Sequence, residues 1–262
     1  MSSVSVQDIP APAEIFDLNG RVAIVTGASS GLGDRFARVL AAAGARVVGA
    51  ARRADRLERL ASEVEGLEPC VCDVSVDEDL ERLVTFTLER FGQVDMLVNN
   101  AGVGGAHPAE DEPAEHFRRV IDVNLNAVFM LSRIAARRML ERGSGSIVNI
   151  ASMYGLVAAA PVAQASYCAS KGGVVNLTRE LGGQWARRGV RVNALAPGFF
   201  ASEMASEMIE DERSARFLRR NTPIGRPGLP HELDGALLFL ASDASSYMTG
   251  QTLAVDGSWT AR

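Results

Sequence analysis

The chain has 262 residues, 47% of them hydrophobic and 23% charged, an ordinary composition for a globular protein with a substantial core. Its formal net charge of −5 argues against the basic face that a nucleic-acid binder sets against phosphates. The longest apolar runs, such as GLVAAAPVA, are too short to span a bilayer.

Residues 1–17 read as a polar, proline-containing tail without the charged start and apolar segment of a secretory signal. From residue 18 to 262 a single unit is expected, in which short β-branched runs alternate with helical patterns. Strands are predicted at RVAIVTG (21–27), ARVVGAA (45–51), EPCVCDV (68–74), DMLVNNAG (95–102), GSIVNIAS (145–152), VRVNALAPG (190–198) and near TLAVDG. Helices are predicted between them, including a long one over 113–142 and another over 165–188. Continuous apolar strands alternating with helices predict an α/β fold: a doubly wound parallel sheet of about seven strands, covered on both faces. Residues 199–230 break this rhythm after a strand end, where such folds bind ligands, and read as a substrate lid.

Cys70, Cys72 and Cys168 form no disulfide framework, so free thiols in a reducing, cytoplasmic setting are expected. Cys70 and Cys72 read as core residues of a short strand. His107, His116 and His231 lack partner spacing and read as solvated, and no metal is expected.

VTGASSGLG (25–33) joins the first strand to the first helix, with glycines at 27, 31 and 33. Gly27 allows a tight exit from the strand, Gly31 lets backbone approach a pyrophosphate, and Gly33 permits close helix packing. The helix N-terminus adds free N–H groups and positive potential, so a dinucleotide site is expected here. At the end of the second strand, where an NAD enzyme places a carboxylate, this chain has Ala51, Arg52 and Arg53. Two guanidiniums suit a 2′-phosphate, so NADP(H) is favoured, with NAD(H) possible.

These residues resemble the short-chain dehydrogenase/reductase family, including its 3-oxoacyl-ACP reductase-like and glucose dehydrogenase-like members. The resemblance rests on TGASSGLG (26–33), CDV (72–74), NNAG (99–102), Asn124 in DVNLNA, Ser152 in IASM, YCASK (167–171) and APGFF (196–200). It implies a single-domain Rossmann fold and phosphate contacts along Gly27, Ser29, Ser30, Gly31, Leu32 and Gly33. It also implies Asp73 and Val74 beside the adenine, and Asn99, Ala101 and Gly102 closing the central cleft. Pro197 and Gly198 should border the nicotinamide, and Ser202 should bind its carboxamide. A homotetramer acting on a small carbonyl or alcohol is implied, with Trp259 at the interface.

Tyr167 and Lys171 stand four residues apart and so share one helix face. Hydride transfer to a carbonyl builds negative charge on oxygen, and a proton must follow. A free tyrosine titrates near about 10, and an ammonium one turn away is expected to lower that value. The resulting assignment is Tyr167 as acid/base, Lys171 tuning it and holding the ribose, Ser152 orienting the substrate, and Asn124 completing a water relay to Lys171 as the resemblance implies. Pocket candidates are Met153, Tyr154, Gln164, the 103–107 loop, Phe199, Phe200 and Met204. They do not choose among a 3-oxoacyl thioester, a ketosteroid, a sugar and a cyclic ketone. An NAD-linked dehydrogenase working in the oxidising direction and a non-catalytic redox sensor stand as alternatives.

Overall fold

The chain is described here by a computed structural model covering residues 10–200 and 212–261. A short helix, α1 (Pro12–Ile15), precedes β1 (Val22–Thr26), α2 (Gly31–Ala42), β2 (Arg46–Ala51), α3 (Ala54–Glu63) and β3 (Leu67–Val71). Then come α4 (Asp77–Phe91), β4 (Met96–Asn99), α5 (Ala114–Ile121), a π-helical turn (Asp122–Asn126), α6 (Ala127–Arg142) and β5 (Gly145–Ile150). The chain continues through α7 (Ala165–Trp185) and β6 (Val190–Pro197), and the later described elements are α8 (Glu212–Asn221), α9 (Asp234–Ala241) and β7 (Thr252–Val255).

The strands form one parallel sheet in the order β3-β2-β1-β4-β5-β6-β7. Successive side chains of β1 point to opposite faces. Ala23 and Val25 pack with Phe36, Leu40, Leu57 and Leu237 on one face, and Ile24 packs with Leu80, Leu83, Leu131 and Ile134 on the other. Burial on both faces is why β1 reads as an unbroken apolar run. Each such fully buried aliphatic side chain contributes ~1.5–3 kcal/mol. The order reverses between β1 and β4, and a crevice opens beyond the strand ends at that point.

Several boundaries differ from expectation. The third strand ends at Val71, which leaves Asp73 and Val74 in the following loop. There the Asp73 amide donates to Asp79 Oδ2 at 2.8 Å instead of to a neighbouring strand. The helix expected over 113–142 is interrupted by the π-turn at 122–126, a device that inserts one extra residue per turn and re-aims side chains. Helix α7 stops at Trp185. Of the expected lid, residues 201–211 lie outside the described residues, and with them Ser202 and Met204.

Trp259, expected at a subunit interface, is already largely covered within its own chain. It is 7% exposed, covered within its own chain by Phe199 and Phe217 with ring centroids 5.4 and 6.2 Å away. His231 is exposed, as expected, but two histidines differ from expectation: His116 bonds Glu112 at 2.8 Å and meets the edge of His107, ring centroids 4.5 Å apart. Cys70 and Cys72 lie buried in the core layer with Leu80, and burial pushes their thiols up, Cys72 to about 12. Among the described residues no group of His, Cys, Asp and Glu is placed to hold a metal, and no helix is long and apolar enough to cross a membrane.

Candidate active site

The turn from β1 into α2 is built without room for side chains. Gly27 has φ +70°, and a Cβ there would lie 2.8 Å from Asn100 Nδ2; a Cβ on Gly33 would collide with the Gly27 carbonyl. Ser30 precedes α2 but does not cap it. Its hydroxyl accepts from Arg53 Nη2 at 2.7 Å, and the Ser29 hydroxyl accepts from Arg53 Nε at 3.2 Å. The first-turn amides of α2 therefore keep no side-chain cap, and a guanidinium lies against the rim of the turn. Uncapped amides, a cradle that any Cβ would fill, and a cation at its edge fit the phosphates of a dinucleotide.

Arg52 lies 4.0 Å from the Asp73 carboxylate. Burial pushes that carboxyl up, but the Ser75 hydroxyl and amide, with Arg52, bring it below the usual carboxylate range. Leu32, in the first turn of α2, packs on the core beneath it. Ala101 and Gly102 follow β4, and Pro197 and Gly198 end β6; Gly198 is pressed so close to Asp256 that a Cβ would lie 2.7 Å from its Cα.

Asn99 serves this region differently from expectation. Its side chain is buried and donates to Ser132 Oγ at 2.9 Å and to Asn149 Oδ1 at 2.8 Å, and Asn149 passes the chain on to Thr178 Oγ1 at 3.0 Å. This ladder ties β4 and β5 to α6 and α7, and Asn99 also lines a small cavity with Thr26, Val74 and Ala101. Asn100 and Thr26, which sequence reading missed, hold the two strand ends together. Thr26 Oγ1 accepts from the amides of Asn100 and Ala101, both at 3.0 Å, and Asn100 Nδ2 donates to the Thr26 carbonyl at 2.9 Å. The NN pair was visible, but the division of labour between its two members depends on which way each alternate residue points.

Asn124, Ser152, Tyr167 and Lys171 come together from three places: the π-turn, the end of β5 and α7. Asn124, fully buried in the π-turn, accepts from the Val103 amide and donates to the Val103 carbonyl, both at 2.8 Å, and donates to Ser170 Oγ at 3.1 Å. Lys171, 4% exposed, donates from Nζ to the Ile150 carbonyl at 2.7 Å and lies 5.7 Å from the centroid of the Tyr167 ring. A Cβ on Gly102 would lie 3.3 Å from Asn124 Oδ1 and 3.7 Å from Lys171 Nζ, so these two side chains flank the segment after β4. Ser152 Oγ accepts from the Tyr154 amide at 3.1 Å.

Burial pushes the Tyr167 phenol up; the Ser152 hydroxyl opposes that, and Cys168 adds to it. This corrects the expectation that Lys171 lowers Tyr167. Lys171 is itself buried, which pulls its ammonium down to about 8, and it points to a carbonyl instead of to the phenol oxygen. Desolvation is the leading cause for both groups in the protein alone. Around Tyr167 lie Met153, Tyr154, Val157, Cys168 and Phe199, a mostly apolar wall.

Residues 27–260 match the family described as enoyl-(acyl carrier protein) reductase. The chain is 44% identical over 248 residues to galactitol 2-dehydrogenase (L-tagatose-forming) of Cereibacter sphaeroides, covering 94% of this chain and 97% of that protein. It is 42% identical to gluconate 5-dehydrogenase of Gluconobacter oxydans (strain 621H), covering 93% and 96%. A gluconate 5-dehydrogenase from Burkholderia cenocepacia J2315, crystallised with NADP and tartrate, superposes with a TM-score of 0.91 at 36% identity, over 96% of this chain and 100% of that one.

Proposed function

This chain belongs to the short-chain dehydrogenase/reductase family, and we propose that it interconverts a secondary alcohol and a ketone on an open-chain polyhydroxy compound, using NADP(H). Its oxidoreductase chemistry, hydride transfer between a nicotinamide and a carbonyl or alcohol carbon, comes with the family. The observation that carries the proposal is Tyr167, with Ser152 and Lys171 around it, beside the segment that follows β4. Polyols and sugar acids are favoured because galactitol 2-dehydrogenase and gluconate 5-dehydrogenase are similar over almost the whole chain.

When bound, the nicotinamide supplies or accepts the hydride. In reduction the Tyr167 hydroxyl gives its proton to the oxygen on which charge develops; in oxidation the phenolate takes it back. A raised phenol suits the donor role at neutral pH. Ser152 Oγ holds the reacting oxygen by a hydrogen bond that strengthens as charge grows. Lys171 offers an ammonium to the ribose hydroxyls. Asn124 fixes Val103 and Ser170 so that the wall facing Lys171 does not shift.

Gly27, Ser29, Ser30, Gly31, Leu32 and Gly33 are assigned to the phosphates, and Arg52 and Arg53 to the 2′-phosphate. Asp73 and Val74 are assigned to the adenine, and Ala101, Gly102, Pro197 and Gly198 to the nicotinamide side. The Arg53 contacts with Ser29 and Ser30 support the NADP(H) preference, as do bound NADP in the Burkholderia gluconate 5-dehydrogenase and the absence of a carboxylate at Ala51. Residues 18–262 are read as one catalytic unit in which 199–230 shape the substrate side; Phe217 of α8 leaning on Trp259 supports this. Three free cysteines support a cytoplasmic setting. Half-exposed Phe117 on α5 and Phe129 on α6 support a homo-oligomer, with a tetramer proposed.

The test is nicotinamide absorbance with both cofactors over a panel of sugar alcohols, aldonates, keto acids, cyclic ketones and 3-oxoacyl thioesters, for the wild type and Tyr167→Phe. Turnover of a polyol or aldonate with NADP(H), lost by about 10²-fold or more in the variant, is expected. Near-normal turnover by the variant would remove the acid/base assignment, and tighter NAD(H) binding would remove the cofactor preference.

A further inference from the structure

A polar cluster beside Tyr167 takes no part in the chemistry above. Glu112, in the segment before α5, has a side chain only 6% exposed. Its carboxylate receives His116 Nδ1 at 2.8 Å; opposite an ionised carboxylate, that ring nitrogen is the donor. Ser166, then His116, hold the Glu112 carboxyl below the usual carboxylate range against the effect of burial. Ser166 is fully buried, its hydroxyl forms no closed hydrogen bond, and Gln164, which precedes α7, gives it no side-chain cap.

The cluster also reaches the strip of chain beside Tyr167. The His116 ring is pressed against Gly105, where a Cβ would lie 2.7 Å from Nε2, and against the His107 ring. Gly104, the next residue back, rests on the Tyr167 ring, a Cβ there lying 3.3 Å from Cδ2. The His107 amide donates to the Ala163 carbonyl at 3.0 Å, just before α7 begins. The hydrogen-bonded Glu112–His116 couple therefore backs the strip of chain that lies on the Tyr167 ring.

We infer that His116 and Glu112 are positioning residues for the reaction: Glu112 holds the His116 ring, and His116 props residues 104–107 against the Tyr167 ring. This rests on the reading of Tyr167 as the acid/base. Small misplacements of a reacting group can cost up to about 10²-fold in rate, so effects on turnover are expected without effects on the distant dinucleotide turn.

The experiment measures kcat, KM for substrate, NADP(H) Kd by titration and melting temperature for wild type, Glu112→Gln, Glu112→Ala, His116→Asn and His116→Ala, on the best substrate of the screen. Glu112→Ala and His116→Ala should lower kcat by about tenfold or more while Kd for NADP(H) stays within about twofold. Glu112→Gln and His116→Asn keep a hydrogen-bonding group of similar reach and should recover most of the loss. Unchanged kcat in the alanine variants would overturn the inference, as would losses in kcat and cofactor affinity of equal size. Failure of the acid/base reading would be seen separately, as retained turnover in Tyr167→Phe.

Discussion

Burying Lys171 takes an ammonium out of water and leaves it the Ile150 carbonyl as a hydrogen-bond acceptor. Its native pKa falls from 10.5 to about 8, while in the unfolded chain it stays near the higher value. Below about pH 8 both states hold the proton and the native state bears the full penalty; as pH rises toward 10.5 the native lysine sheds its proton first, and the penalty fades. Lys171→Met should therefore abolish turnover yet melt higher than wild type in the protein without ligand at pH 7. The gain should be up to about 3 kcal/mol and should narrow between about pH 8 and 10.5. Calorimetry across that range checks it, and a variant that melts lower at every pH would contradict the burial penalty. Such a trade of stability for activity is usual where a site needs a buried charge.

At the scale of single elements, two irregularities carry the site. The π-turn at 122–126 is where an otherwise continuous α5–α6 pattern gives way, and it turns Asn124 toward Val103 and Ser170. The β1–α2 turn closes on itself so tightly that Gly33 faces the Gly27 carbonyl and Asn100. Gly33→Ala should weaken NADP(H) binding by at least about tenfold, because the helix start must move away from the phosphates or the turn must open. Isothermal titration reads this directly. An alanine variant with wild-type affinity would mean that the turn tolerates a methyl and that α2 is less tightly seated than its contacts indicate.

For the molecule as a whole, Phe117 and Phe129, 40% and 41% exposed, lie on the consecutive helices α5 and α6. Large apolar groups on one surface region mark association sites more often than solvent faces. A tetramer is the expected mass in solution. Phe117→Glu combined with Phe129→Glu should shift it to smaller species, measured by light scattering on the full chain. A wild-type monomer would end the proposal.

The sequence by itself determined the alternation of strands and helices, because strands buried on both faces must read as apolar runs and their covering helices as amphipathic ones. It also determined the phosphate turn, since close approach leaves glycine no substitute, and the shared face of Tyr167 and Lys171, since helical spacing sets it. The tertiary structure alone decided what depends on contacts between segments distant in sequence. Asn99 turns into the core while Asn100 ties the strand ends, and Trp259 is covered by Phe199 and Phe217 of its own chain. Lys171 is buried deeply enough for desolvation to pull its ammonium down, and burial pushes the Tyr167 phenol up. His116, four residues from Glu112 in EDEPAEH, is held by it and meets Gly105 and the His107 ring, which lie beside Tyr167 only once the chain is folded. Burial and partners reached across the fold set pKa values and positions, and a linear pattern carries no distance between residues that far apart.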